Sequence, residues 1–171
     1  MIVTLHAKYA RAVIVGAVFS LPTLFCIWLA GLLRNRAVAD ALSKGQGVLC
    51  VGLDIYLLFL LLIVAIFAVA GIVSVKLAIK SVNGPGQAGK TGGMAGAVAV
   101  IASIIIIIAV EAYYQIIVEH NFSWPASLAA NAYAIIALSL YCLVPVLVGA
   151  SISAFSGVLY YRLRHRVRPE S

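Results

Sequence analysis

The chain has 171 residues, of which 64% are hydrophobic and 10% charged, with a formal net charge of +7. Soluble domains carry about 25% charged residues, so this composition excludes a water-soluble fold and leaves too few polar residues for a separate catalytic module. The basic residues flank apolar stretches rather than covering a soluble face, which points to topology and lipid headgroups and away from nucleic acid.

Four apolar stretches follow one another, at 12–33, 48–75, 93–117 and 133–160. Each meets or exceeds the ~20 residues that carry a helix across a hydrocarbon core of about 30 Å. Backbone groups in lipid must be satisfied within the chain, so all four are predicted helices. The expected fold is an all-α integral membrane protein: four transmembrane helices in one domain over 1–171, packed as an antiparallel bundle.

The first stretch follows Lys8 and Arg11. It is longer than the core of about 7–15 residues typical of a signal peptide, so it is read as a retained span. Gly16 and Ser20 supply small residues for packing, and Pro22 removes one helical hydrogen bond. A polar connection is expected at 35–47. The second stretch carries Asp54 near its start.

The connection expected at 81–92 is rich in glycine. Within it, Gly84-Pro-Gly-Gln-Ala-Gly89-Lys90-Thr91 fits the phosphate-cradling pattern GxxxxGK[ST]. That loop works between a buried strand and a helix N-terminus. Here an apolar helix precedes it and no acidic residue is placed to hold magnesium, so no nucleotide is expected. A basic, glycine-rich turn could still meet a lipid phosphate.

The third stretch opens with Gly92 and Gly96 and continues with Ala95, Ala99 and Ser103. Glu111 lies inside it. The connection at 118–132 holds the turn-prone segment 121–125. The fourth stretch holds Pro145 and a four-residue repeat of small residues, Gly149, Ser153 and Gly157. Lipid tails are as apolar as leucine, so helices associate in a bilayer through close packing and hydrogen bonds. Gly92, Gly96, Gly149, Ser153 and Gly157 are therefore the predicted helix-packing residues. The tail places Arg162, Arg164, Arg166 and Arg168 at the membrane surface, where they are predicted to meet lipid headgroups.

Lys8, Arg11, Lys76, Lys80, Lys90 and the four tail arginines fall on one side of this topology; Arg34, Arg36 and Lys44 fall on the other. Nine against three places both termini in the cytoplasm. The aromatic residues sort the same way. Trp28, Tyr56, Tyr113, Tyr114, Trp124 and Tyr133 mark one interface, and Tyr9, Tyr160 and Tyr161 the other.

The chemistry-bearing residues are few. Cys26, Cys50 and Cys142 lack redox or metal-ligand spacing. His6, His120 and His165 lie outside the hydrocarbon, so no haem is expected between spans. Neither a catalytic constellation nor any cofactor is predicted, and the chain is not expected to be an enzyme. Glu111 and Asp54 are the candidate functional polar residues, since antiparallel neighbours bring them to similar depth and an ionisable group in a span is costly.

The outline of four spans, both tails inside and very small soluble parts is similar to that of immunity proteins that protect bacteria from pore-forming toxins. That resemblance is one of architecture. It implies action through helix faces within a bacterial inner membrane, on another membrane-inserted protein or a second copy of the chain. Accessory subunits of membrane complexes have the same requirements. The competing expectation is a small cation- or proton-coupled transporter or channel using Glu111 and Asp54.

Overall fold

The computed structural model describes residues 2–44, 53–113 and 132–167, and among them only Lys44 and residues 82–84 lie outside helices. Helix α1 spans Ile2–Ser43, α2 Leu53–Ala78, α3 Pro85–Tyr113 and α4 Ala132–Val167, with a single 3₁₀ turn, Ile79–Ser81, extending α2. Each helix contains a segment long and apolar enough to cross a membrane: Tyr9–Ser43, Leu57–Ser81, Pro85–Val110 and Leu143–Arg166. Pro22 and Pro145 sit inside α1 and α4 without ending them.

Two boundaries differ from those read in the sequence. The polar segment expected to connect the first two spans is largely helical, because α1 continues to Ser43. Nothing in residues 34–43 breaks a helix: from Arg34 to Lys44 there is no glycine or proline. The end is held locally. The amide of Lys44 donates to the carbonyls of Asp40 and Ala41 at 3.3 and 3.2 Å, and its ammonium pairs with Asp40 at 2.6 Å. Both side chains are exposed, so this pair contributes at most about 1 kcal/mol. With 42 residues, α1 is roughly 63 Å long at about 1.5 Å per residue and must project well beyond a bilayer.

The second difference is at the glycine-rich connection. Only residues 82–84 form it, and the segment from Pro85 onward is already α3. Proline is well suited to a first helical position, where its missing N–H has no intrahelical partner to lose. Gln87 Oε1 accepts the Asn83 amide at 3.2 Å, and the Ala88 amide donates to the Gly84 carbonyl at 3.1 Å. The short connection is thus tied down from both sides. Composition favoured a loop here, but the glycines are used for close helix packing instead.

The helices pack around a central α2–α3 pair. α1 lies against one side of it and α4 against the other. Contacts along each pair give the chain directions. Arg11 donates to the Leu77 carbonyl at 2.8 Å, while Cys26 and Ala30 meet Phe59, so α1 and α2 run oppositely. Phe67 meets Ala99 and Val100, and the Ser74 hydroxyl reaches the Thr91 carbonyl, so α2 and α3 do too. Gly92 faces Ser153 and Gly96 faces Gly149, which sets α4 against the direction of α3.

The interior is made of small side chains. Ala12, Ala70, Ala78, Ala88, Ala95 and Ala99 are fully buried, and the largest side chains buried to that degree are Val75, Thr91, Ser20, Ser74 and Ser153. Apart from the buried Phe59 and Phe67, many bulky residues point outward: Leu61 is 68% exposed and Phe155 71%. That distribution suits a chain whose surroundings are hydrocarbon, where large apolar groups need no burial.

The helical state of Pro85–Thr91 yields a prediction. The Thr91 side chain is fully buried and donates to its own helix, at the Gln87 carbonyl, at 2.9 Å. The amides that a phosphate-binding loop would present are committed to helix after the first turn. Equilibrium dialysis with ATP and GTP at millimolar concentration should therefore show no saturable binding. Lys90→Ala should leave the protein's melting temperature within about a degree; nucleotide binding lost in that variant would contradict the assignment.

Candidate functional site

The predicted packing residues meet at one place. Ser153, in the middle of α4, is fully buried and its hydroxyl donates to the Phe67 carbonyl of α2 at 2.7 Å. Around it the backbones approach so closely that three glycines have no room for a methyl group. A Cβ on Gly71 or Gly92 would strike the Ser153 carbonyl oxygen, and one on Gly96 would strike the Gly149 carbonyl and lie 2.5 Å from Ser153 Oγ. The hydrogens in those positions face the same oxygens, an arrangement suited to weak Cα–H···O contacts. Gly149 and Gly157 continue the seam: a Cβ there would stand 2.7 Å from Val100 Cγ2 and 2.9 Å from Val75 Cγ2, respectively.

Gly149, Ser153 and Gly157 therefore face α2 and α3 of their own chain, and Gly92 and Gly96 of α3 face α4. The small-residue repeat of α4 is filled from within. A second, shorter seam joins α1 to α3. A Cβ on Gly16 would come within 2.5 Å of the Ala95 carbonyl, and the Ser103 hydroxyl lies 3.3 Å from the Ser20 carbonyl and 2.8 Å from that of Ala99.

The hydroxyls Ser74, Thr91 and Ser156 were not singled out by sequence reasoning as a group. The fold collects them beside Ser153. Ser74 donates to the Gly71 carbonyl at 2.9 Å, with the Thr91 carbonyl at 3.5 Å, and Ser156 donates to Ser153 at 3.1 Å. The sequence carries a signal: Ser74 is the one hydroxyl residue in the run 57–80, and Thr91 ends the GxxxxGK[ST] match. Each of these donors is spent on a helical carbonyl. Among the described residues no buried side-chain polar atom lacks a partner. A hydroxyl bonded back to its own helix is satisfied without opening a polar path.

The acidic candidates are at the opposite end from the basic cluster. Asp54 is exposed in the first turn of α2. Glu111 falls in the last turn of α3, and its side chain lies outside the described residues. The opposite running of α2 and α3 carries both positions to the same end, but no contact between them is described. No group of three or more metal-ligating side chains occurs among the described residues.

The other end is basic. Arg11, Lys76, Lys80, Lys90, Arg162 and Arg166 are exposed there, and Arg164 is half-buried. Arg164 Nη1 donates to the Tyr160 hydroxyl at 3.4 Å. Tyr160 and Tyr161 pack on Val75, Ala78, Val82 and Ala88, which anchors the last turns of α4 to the α2–α3 connection. Arg168 lies outside the described residues. Along α1, Tyr9 and the exposed Trp28 are roughly 28 Å apart at about 1.5 Å per residue, close to the hydrocarbon thickness that two aromatic belts would bracket.

No family model matches the chain, and neither the curated proteins nor the solved structures contain a match to it.

The seam makes a graded prediction. Gly96→Leu forces a branched side chain against backbone atoms that cannot move aside, so its cost should reach or exceed the upper part of the ~1–3 kcal/mol seen for overpacked cores. Ser153→Ala removes one hydrogen bond and little volume, and should cost roughly 0.6 kcal/mol and at most about 1.7. Unfolding in mixed micelles with increasing dodecyl sulfate will rank them. Equal, small effects from both would mean the backbones are not in contact.

Proposed function

We propose that this protein is a four-helix, antiparallel membrane bundle with both termini in the cytoplasm, and that it acts by presenting helix faces to another membrane-inserted protein. The observation that carries this reading is the disposition of its packing surfaces. Both small-residue seams are occupied inside the chain, and the described buried hydroxyls are satisfied there. What remains available is a wide outward surface of leucine, isoleucine, valine and phenylalanine. A protein so built has a rigid body and an apolar exterior, as an immunity protein or an accessory subunit of the bacterial inner membrane requires. The cytoplasmic assignment of both ends rests on the clustering of basic residues from all four helices at one end.

The transporter reading finds less support. It requires a continuous polar route between the two ends, and the described interior between them is packed with alanine, glycine, valine and back-bonded hydroxyls. Glu111 and Asp54 both belong to the far end, so neither is a midplane coupling site.

Three measurements test the proposal. Single cysteines at Ser171 and Ser123, in a chain freed of its native cysteines, should react with impermeant maleimide from opposite sides of the membrane; reaction from the same side overturns the topology. Purified protein in liposomes should give no proton, sodium or potassium flux above empty vesicles. In native membranes, photo-crosslinking residues replacing the outward Leu61 or Phe155 should give discrete heavier adducts, while one at Ser153 should not. Flux that Glu111→Gln abolishes would replace this reading with a transporter.

A further inference from the structure

At the basic end, the 3₁₀ turn after α2 and the last turns of α4 enclose an open cleft of about 450 Å³. Its floor is apolar, from Ile79 and the buried Val82, and its rim carries Lys80, Asn83, Tyr161, Arg164 and His165. The rim is held in shape. Tyr161 and His165 stack with ring centroids 4.3 Å apart, and Arg164 is steadied by Tyr160. Asn83 has its backbone fixed by Gln87, which leaves its side-chain amide at the rim.

Among the described residues, the charge around this cleft is one-sided. The acidic side chains of the described residues, Asp40 and Asp54, belong to the ends of α1 and α2 remote from it, and Asp40 is paired with Lys44. Lys80 and Arg164 come from elements far apart in sequence, yet the fold sets them on one concavity with no described carboxylate to neutralise them. Lysine offers a point charge, and arginine a planar fork that matches two phosphate oxygens. An amide and an imidazole add further hydrogen-bond donors. This combination, at the level where a helix bundle leaves the hydrocarbon, is complementary to a phosphate group and to little else that is abundant at a membrane surface.

We propose that the cleft is a phosphate-ester binding site, with Lys80 and Arg164 on the phosphate oxygens and Asn83 and His165 on the remaining acceptors. The favoured source of the phosphate is the headgroup of an anionic glycerophospholipid. The two helices that form the cleft carry exposed leucines close by, Leu77 on α2 and Leu159 and Leu163 on α4, which give acyl chains apolar surface to lie on. The site does not depend on which side of the membrane the basic end occupies, nor on the partner-binding role.

Native mass spectrometry of the full chain released from nanodiscs containing equal phosphatidylglycerol and phosphatidylcholine tests it. The wild-type protein should retain phosphatidylglycerol at least fivefold over phosphatidylcholine. Lys80→Gln with Arg164→Gln should bring the ratio close to one. Arg162→Gln with Arg166→Gln removes equal charge from exposed positions outside the cleft and should preserve at least half of the preference. Circular dichroism and monodispersity establish that each variant is folded; should the double variant fail, Lys80→Gln and Asn83→Ala singly should each lower the ratio at least twofold. A second arm adds glycerol phosphate at millimolar concentration. Displacement of the lipid, dependent on Lys80 and Arg164, supports the site and reassigns its source to a soluble phosphate ester. Equal loss in the two double variants, or no lipid preference in the wild type together with no glycerol phosphate binding, overturns the proposal.

Discussion

The approach of three backbones at Ser153 is the constraint on which the rest of the structure depends. A bilayer offers no hydrophobic reward for joining helices, so association must come from packing and hydrogen bonds. Here both arrive together. Gly71, Gly92 and Gly96 let α2 and α3 come within touching distance of the α4 backbone, and the Ser153 hydroxyl joins α4 to the Phe67 carbonyl. That approach holds the middle of α4, and the docking of Tyr160 and Tyr161 holds its last turns.

The consequence is a protein arranged in the opposite sense from a soluble one. Alanine, glycine and serine fill most of the interior, with Phe59 and Phe67 among them, while most of the described leucines and most of the isoleucine run 104–108 face out. The buried hydroxyls bond to helical carbonyls, so the polar groups inside reinforce packing. Charge is confined to the ends, and unequally: one end collects cations from all four helices, the other holds Asp40 and Asp54 beside Arg34, Arg36 and Lys44. Chemistry is thereby left to two places, the outward apolar faces and the basic end. The proposed partner-facing role draws on the first and the proposed phosphate cleft on the second.

Much of this was legible in the sequence, for definite reasons. Four runs of apolar residues with few charges can only be helices in lipid, and their number and approximate positions follow. The spacing of Gly149, Ser153 and Gly157, and of Gly92 and Gly96, marked a contact face because small residues have no other advantage there. Three things were not legible. The continuation of α1 past Leu33 depended on the absence of a breaker, which polarity concealed. The start of α3 at Pro85 depended on glycines serving as packing surface, when the same residues in water would favour a loop. The cleft unites Lys80 and Asn83 with Arg164 and His165, residues some eighty positions apart, and only the docking of Tyr160 and Tyr161 on the α2–α3 connection brings them together.

The central claim is that the small-residue seam of α4 is occupied by α2 and α3 of the same chain, and disulfide capture tests it most directly. In a protein whose Cys26, Cys50 and Cys142 are replaced by alanine, Val75→Cys combined with Gly157→Cys places two thiols where a Gly157 Cβ would stand 2.9 Å from a Val75 methyl. Mild oxidation in native membranes should close a bond within one chain, giving a monomer that migrates faster on non-reducing gels and reverts with reductant. A covalent dimer formed in its place, at expression levels low enough to prevent crowding, would show the seam to join separate chains and would contradict the account.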